Sequence, residues 1–447
     1  MHGSKSLAIL LAIALGVGGY AYYLSKRPAD TGAVKHDKVF AAVESDKIND
    51  LEIQAASGDL THLIKDGTTW KIATPIAGDA DAGEVSSLLS TIASLEPGTV
   101  IDSNPASVKS YGLDPARIVV TFTQTGDATP HKLLVGSKTP TGSDLYARVE
   151  GKPALFLITG SLDDPLNKTT FSLRDKTVLK FPRATADFLT VTAAGKTVTL
   201  AKKGESDWSM KAPVDARADF SAVDSLVGRL ADLQMKSLVT PDGSKDLKKY
   251  GLDKPDITAT IGAGSARASL AIGGKSPDGT LYARDLTRPA IFTVEATLAD
   301  DLKKKADDFR IKDLFEFRSF SATSLEITQG GQTFVFVKQK GTGDTDTWKQ
   351  TKPSAKDADQ AKLTDLLSAV SGLRAESFVD KAASGSDEAV VLAQFGEPGA
   401  SKAETVAFRK SGKTIQAIRQ GEAGAAVVPT ADFDKAIAAL KAVTGGK

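Results

Sequence analysis

The sequence predicts an α+β protein in which three tandem repeats of a mostly β module, each with one amphipathic helix, follow a single transmembrane helix. Three observations support this class: a motif that recurs three times, a helical apolar pattern after each motif, and an apolar N-terminal segment. The 447 residues are too many for one ordinary core and suit about three domains. A composition of 41% hydrophobic and 25% charged residues is typical of globular proteins and excludes a disordered chain.

The apolar N-terminal segment runs from Leu7 to Leu24 and contains no charged residue. Its length is close to that needed to cross a hydrocarbon core of about 30 Å. We therefore expect a single-pass anchor in the cell inner membrane, with the modules in the periplasm or otherwise extracytoplasmic. A cleaved signal peptide and a buried core helix remain alternatives, and the flanking charges do not decide the orientation.

A tryptophan followed five residues later by a proline marks the same point in each of three copies. An aspartate lies eleven positions after each tryptophan, where it fits the N-cap of a helix. Apolar residues then recur with spacings of 3, 1, 3 and 3, which is one face of an α-helix. We expect the tryptophans to be core residues. The tryptophans are Trp70, Trp208 and Trp348, and the aspartates are Asp81, Asp219 and Asp359.

A second signature occurs in the first two copies only: a Tyr-Gly-Leu-Asp turn, followed later by Tyr-Ala-Arg. The third copy lacks both, although Arg419 stands where the arginine is expected. The turns are Tyr111 to Asp114 and Tyr250 to Asp253, and the later triplets are Tyr146 to Arg148 and Tyr282 to Arg284.

These repeats predict the domain boundaries. Similar phenylalanine-containing segments end the first two copies near residues 175 and 313. The predicted organisation is an anchor and tether (1–34), module one (35–175), module two (176–313) and a divergent module three (314–447).

The combined series of motifs resembles the bacterial envelope family known as domain of unknown function 4340. The resemblance covers most of the first two modules and part of the third. Members of this family are N-terminally anchored proteins that are often encoded beside an ABC-type transport system related to those of gliding motility. The resemblance implies an exported, transporter-associated protein and no known activity.

The repeated turn and arginine are the candidate binding residues. A Tyr/Asp surface patch would suit a protein partner, and a strand-borne arginine would suit a carboxylate or phosphate. A structural role is the alternative: glycine in a left-handed conformation closes a short helix, and the arginine binds nearby turn carbonyls. The candidates are Tyr111, Asp114, Arg148, Tyr250, Asp253 and Arg284.

Catalytic and cofactor motifs were sought and not found. The segment Gly273 to Ser276 lacks the glycine that a phosphate-binding loop needs four residues earlier, and Pro277 follows at once. The four histidines form no zinc-binding signature, and the chain has no cysteine. The net charge of +1 gives no basic excess for nucleic acid. We therefore expect no enzyme activity, no metal, no cofactor, and neither nucleotide nor nucleic-acid binding.

These expectations favour a membrane-anchored, non-enzymatic envelope scaffold or adaptor. Its expected partners are the membrane, through Leu7 to Leu24, and components of an ABC-type transport system. An extracytoplasmic glycan- or lipid-binding protein is the alternative, and a hydrolase is a more distant one.

Overall fold

The computed structural model describes residues 37–204, 207–340, 346–397 and 399–445. Strands account for 43% of the chain and helices for 20%, so the fold is mostly β and the α+β prediction is wrong. The physical reason is that each module contains nine strands, whereas its main helix has only twelve residues. Many of the strands are short hairpin partners with polar outer faces, and their alternating pattern is weaker in sequence than that of the helix.

The predicted membrane span, Leu7 to Leu24, lies outside the described residues. Among the residues that are described, no helix has both the length and the apolar character needed to cross a membrane. The prediction of a single-pass inner-membrane protein with a transmembrane helix is therefore not supported and is corrected here.

The tripled module is confirmed. The described residues form three antiparallel sheets of nine strands, and each sheet has the strand order 4-3-2-1-6-7-8-9-5 within its module. The first sheet contains β1 to β9: Ile48–Gln54, Leu60–Asp66, Thr69–Thr74, Gly78–Asp79, Val100–Asp102, Ile118–Gln124, Asp127–Lys138, Asp144–Val149 and Leu155–Thr159. The second contains β10 to β18: Phe188–Ala193, Lys196–Lys203, Asp207–Ala212, Ala216–Arg217, Ser237–Thr240, Ile257–Ala263, Ala266–Lys275, Leu281–Asp285 and Ile291–Val294. The third contains β19 to β27: Ala322–Gln329, Gln332–Lys340, Asp346–Lys352, Lys356–Asp357, Ser377–Val379, Ala389–Phe395, Lys402–Ser411, Thr414–Arg419 and Ala425–Val428.

The α-helices of the described residues are α1 to α7: Ala82–Ala93, Asp163–Leu166, Thr170–Leu173, Phe220–Ala231, Thr297–Leu302, Gln360–Ser371 and Thr430–Thr444. Short 3-10 helices are Lys109–Tyr111, Gly160–Leu162, Arg183–Thr185, Leu247–Tyr250 and Ala306–Phe309.

The main helix of each module (α1, α4 and α6) connects the fourth strand to the fifth, which lie at opposite edges of the sheet. The predicted N-caps are confirmed, because each aspartate accepts hydrogen bonds from backbone N–H groups of the first turn. The apolar face that follows is buried. In α1 this face consists of Val85, Leu88, Leu89 and Ile92.

The tryptophans occupy the third strand of each sheet, and the peptide bond before each following proline is cis. Trp208 and Trp348 are buried, with 5% and 7% of their surface exposed. Trp70 is half-buried and packs against the core of the first module. The first copy of this position therefore contributes less to the core than the other two.

The chain divides after Asp175 into two compact units. The first unit contains β1 to β9, and the second contains β10 to β27. Within the second unit, the last helix, α7, packs beside α6 and closes the core of module three. Its buried residues are Phe433, Ala436, Leu440 and Val443.

Replacing Trp208 or Trp348 by alanine should lower the free energy of unfolding of the second unit by about 3–5 kcal/mol, because each side chain is almost fully buried. Trp70→Ala should have a smaller effect on the first unit, since this ring is half-buried. Urea unfolding followed by circular dichroism measures both. A loss below about 1 kcal/mol for Trp208→Ala and Trp348→Ala would contradict the assignment of these side chains to the core.

Candidate functional site

The Tyr-Gly-Leu-Asp turn closes a short 3-10 helix in module one. Gly112 has φ of 69°, the left-handed region, and its N–H donates to the carbonyl oxygen of Lys109 at 3.1 Å. The N–H of Leu113 donates to the carbonyl oxygen of Val108 at 3.3 Å, and its side chain is buried. This is the structural role that the sequence allowed as an alternative.

Module two repeats the same turn. Gly251 has φ of 70°, and the N–H of Leu252 donates to the carbonyl oxygen of Leu247 at 2.8 Å. A Cβ atom at Gly273 would lie 2.3 Å from the carbonyl oxygen of Tyr250. That glycine is therefore required by the close approach of the turn to the sheet.

The tyrosines of the two signatures contact each other. The rings of Tyr111 and Tyr146 have centroids 4.8 Å apart, and those of Tyr250 and Tyr282 are 4.9 Å apart. Tyr250 is buried in a small apolar cluster, whereas Tyr111 is half-buried. These side chains fasten the turn to the sheet.

The arginines of the signature bind local backbone. Arg148 donates from Nε to the carbonyl oxygen of Lys152 at 2.9 Å, and Arg284 donates to that of Arg288 at 3.1 Å. Asp114 and Asp253 are exposed at the turns. The tyrosine of each turn thus packs against the tyrosine of a neighbouring strand, and the aspartates lie at the surface. The role of these candidate residues in binding stays a prediction.

A charged cluster between modules two and three, within the second unit, was missed by the sequence analysis. Arg217 on β13 contacts Glu422 of module three, with 2.5 Å between Nε and Oε1. It also contacts Glu316 at 3.4 Å and donates from Nη2 to the carbonyl oxygen of Asp313 at 3.0 Å. One arginine of module two therefore joins both the connecting segment and module three.

A buried ion pair continues this cluster. Arg419 Nη1 lies 2.5 Å from Glu404 Oε2, and the Glu404 side chain is only 2% exposed. Glu404 also accepts the backbone N–H groups of Glu316 and Phe317 at 3.0 Å. The pair thereby holds the segment that connects the two modules.

The strand register corrects the expected place of Arg419. Arg419 pairs with Val406, whose counterpart in module two is Leu270. Leu270 pairs with Asp285, whereas Arg284 pairs with the next residue, Ala271. Arg419 therefore occupies the position of Asp285, on the opposite face of the strand from the signature arginines. A shift of one residue reverses the face of a strand, and module three has no Tyr-Ala-Arg motif to fix the alignment.

A cleft of about 560 Å³ lies beside this cluster in the second unit. Its walls combine aromatic rings with side chains of both charges, so it would fit a ligand of mixed polarity. Across residues 37–204, 207–340, 346–397 and 399–445, no group of three or more His, Asp or Glu is placed to hold a metal ion. The lining includes Trp208, Lys211, Asp215, Arg217, Phe220 and Glu316.

The sequence profile of one family matches the chain twice, over residues 70–211 and 208–389, and each match begins at a repeated tryptophan. This chain belongs to the DUF4340 family, a domain of unknown function. The family expected from the motifs is therefore confirmed.

Solved structures of bacterial sliding clamps also match the DUF4340 chain. A DNA polymerase sliding clamp from Pseudomonas aeruginosa covers 86% of this chain and 92% of its own, with 8% identity and a TM-score of 0.17. A putative DNA polymerase III beta subunit from Eubacterium rectale covers 89% and 94%, with 10% identity and a TM-score of 0.14. TM-scores this low carry no conclusion about fold or function. Among curated proteins, none matches the chain.

Glu404→Ala should lower the free energy of unfolding of the second DUF4340 unit by about 1–3 kcal/mol, because it removes the acceptor of two backbone N–H groups and the closest carboxylate of Arg419. The double variant Glu404→Ala with Arg419→Val should cost less than the sum of its two single changes. The double variant introduces alanine where module two has Ala268, and valine where module one has Val149.

Urea unfolding of the four proteins gives the coupling free energy between the two side chains. Lys402→Ala is the matched control, since its contact with Glu316 is exposed and should change stability by less than about 0.5 kcal/mol. Strict additivity of Glu404→Ala and Arg419→Val would contradict the ion pair.

Proposed function

We propose that this DUF4340 chain is a non-enzymatic scaffold that binds a protein component of an ABC-type transport system through the edge strand of its first module. The observation that supports this proposal is the exposure of Val100 and Ile101 on β5, at 56% and 43%. β5 lies at the edge of its sheet, and exposed apolar edge strands are sites where other chains add.

The equivalent strand of module three is less exposed because it is covered. Val100 pairs with Phe156 of β9, and Phe378 of β23 pairs with Ala426 of β27 at the same place in the third sheet. The guanidinium of Arg310, which comes from module two, lies 3.8 Å from the centroid of the Phe378 ring. Cation–π contact therefore covers this position within the second unit.

The segment that carries Arg310 also binds module three through its backbone. The N–H of Leu314 donates to the carbonyl oxygen of Leu373 at 3.1 Å, and the N–H of Ala375 donates to that of Lys312 at 2.7 Å. Module one makes the same backbone contact through Val39, so the cationic side chain over Phe378 is the feature that indicates the chemistry of an occupant of β5.

The surroundings of β5 favour an occupant of the same chemistry. A shallow cleft of about 380 Å³ lies between the segment that precedes β5, residues 96–99, and the end of β9, and the carboxylates of Glu96 and Asp144 line it. A cationic side chain of a partner segment would be attracted to these carboxylates while its backbone pairs with β5. The resemblance of the motif series to proteins encoded beside ABC-type transport systems supports the identity of the partner.

Replacing Val100 and Ile101 together by glutamate should remove the transport component from the purified complex, because two buried charges would oppose docking of an apolar edge. Leu60→Glu is the matched control: this residue is also exposed on a strand of module one, at 47%, and its replacement should leave the complex intact. Mass spectrometry of the affinity-purified, full-length protein identifies the component.

A photo-crosslinking residue at position 100 gives an independent result. The proposal predicts an adduct with a permease or ATPase component of the transport system. It is contradicted if the adduct joins the chain to itself or to a second copy, or if the component is retained equally by the glutamate variant.

A further inference from the structure

Arg310 is a buried cation without a protein acceptor. It is only 5% exposed, and Nε has no hydrogen-bond partner. None of its guanidinium nitrogens forms a hydrogen bond or ion pair with the described residues, and the guanidinium lies against the face of Phe378. Burial lowers the pKa of this guanidinium from its ordinary value, and the carboxylates of Glu422, Asp307 and Asp380 act in the opposite direction. Leaving such a group without a partner is costly.

The equivalent arginine of module one has partners. The backbone of Arg174 forms an isolated antiparallel β-bridge with Ala80, and that of Arg310 forms one with Ala218. The two arginines therefore occupy the same place in their modules. Arg174 donates to the carbonyl oxygens of Ile76 and Ala77. Module two has equivalent carbonyl oxygens, but the one that corresponds to Ala77 accepts a hydrogen bond from a different donor.

The acceptor equivalent to Ala77 is the carbonyl oxygen of Asp215, seven residues after Trp208 as Ala77 is after Trp70. In the second unit this oxygen accepts the N–H of Ala423 from module three at 3.2 Å. Module three therefore supplies the donor to this carbonyl oxygen, and the guanidinium of Arg310 lies over Phe378 instead of donating to it.

A small cavity of about 20 Å³ borders Arg310. Space of this size holds one water molecule or one atom-sized ion. Of the three arginines in its lining, Arg310 alone forms no ion pair with the described residues. The charged residues of the lining are three arginines and two carboxylates. They are Arg217, Arg310, Arg419, Asp313 and Glu422.

Both carboxylates of the lining already neutralise other cations. Glu422 lies 2.5 Å from Arg217 and 3.3 Å from Arg419. Asp313 lies 2.7 Å from Arg318 and 3.1 Å from Arg374. Arg217 is paired with Glu422, and Arg419 is paired with Glu404, so Arg310 is the cation of this lining that a neutral water would leave without a counter-ion in contact.

We propose that this cavity binds one monovalent, atom-sized anion, with chloride as the physiological ligand, held by the guanidinium of Arg310. The lining combines residues of modules two and three, so the anion fastens the junction between them. Binding stabilises the folded second unit in proportion to the logarithm of halide concentration once the site fills.

Bromide replaces chloride and scatters anomalously, which allows a direct test on the full-length protein. Crystals grown or soaked in sodium bromide should show an anomalous peak within hydrogen-bonding distance of Arg310 Nε. Absence of a peak there, with ordinary water density in the cavity, overturns the proposal.

Thermal unfolding provides the second test. At constant ionic strength, replacing sodium gluconate by sodium chloride should raise the melting temperature of the second unit, because gluconate is too large for the cavity. Arg310→Met should abolish this difference, whereas Arg174→Met, the equivalent change in module one, should retain it. Equal chloride dependence in wild type and Arg310→Met overturns the proposal, and if Arg310→Met does not fold the bromide experiment decides alone.

Discussion

The docking of an extended segment beside the end of the main helix is the contact on which the arrangement of each module depends. The N–H groups of Val39, Val178 and Leu314 donate to the carbonyl oxygens of Leu95, Leu233 and Leu373 at 2.8, 3.0 and 3.1 Å. In module three this segment arrives directly from module two and brings Arg310 over Phe378. The end of module two is therefore part of the core boundary of module three, within the second compact unit.

Local signals in the sequence were sufficient for the repeat. The capping aspartates, the helical apolar faces and the glycine turns depend on neighbours within a few residues, so their chemistry is visible in the sequence alone. The overall class was not predictable in the same way. The nine strands of each sheet include two-residue strands such as Gly78–Asp79, whose existence depends on pairing with the preceding strand and not on their own residues.

The charged cluster was invisible to sequence reasoning for a related reason. Glu404 and Arg419 lie 15 positions apart on adjacent strands. Their positions hold other residues in the first two modules, which are His131 and Ala268 for Glu404, and Val149 and Asp285 for Arg419. In the folded chain this divergence of module three places an ion pair that holds the connecting segment, so it has a structural use.

Amide hydrogen exchange at Leu314 and Ala375 tests the central role of the connecting segment most directly. Both amides donate hydrogen bonds across the junction of modules two and three. If this contact is integral to the second unit, they should exchange as slowly as amides of the central strands of the third sheet, through the same cooperative opening. Exchange at the rate of the exposed loops would show that the segment opens independently and would contradict the account.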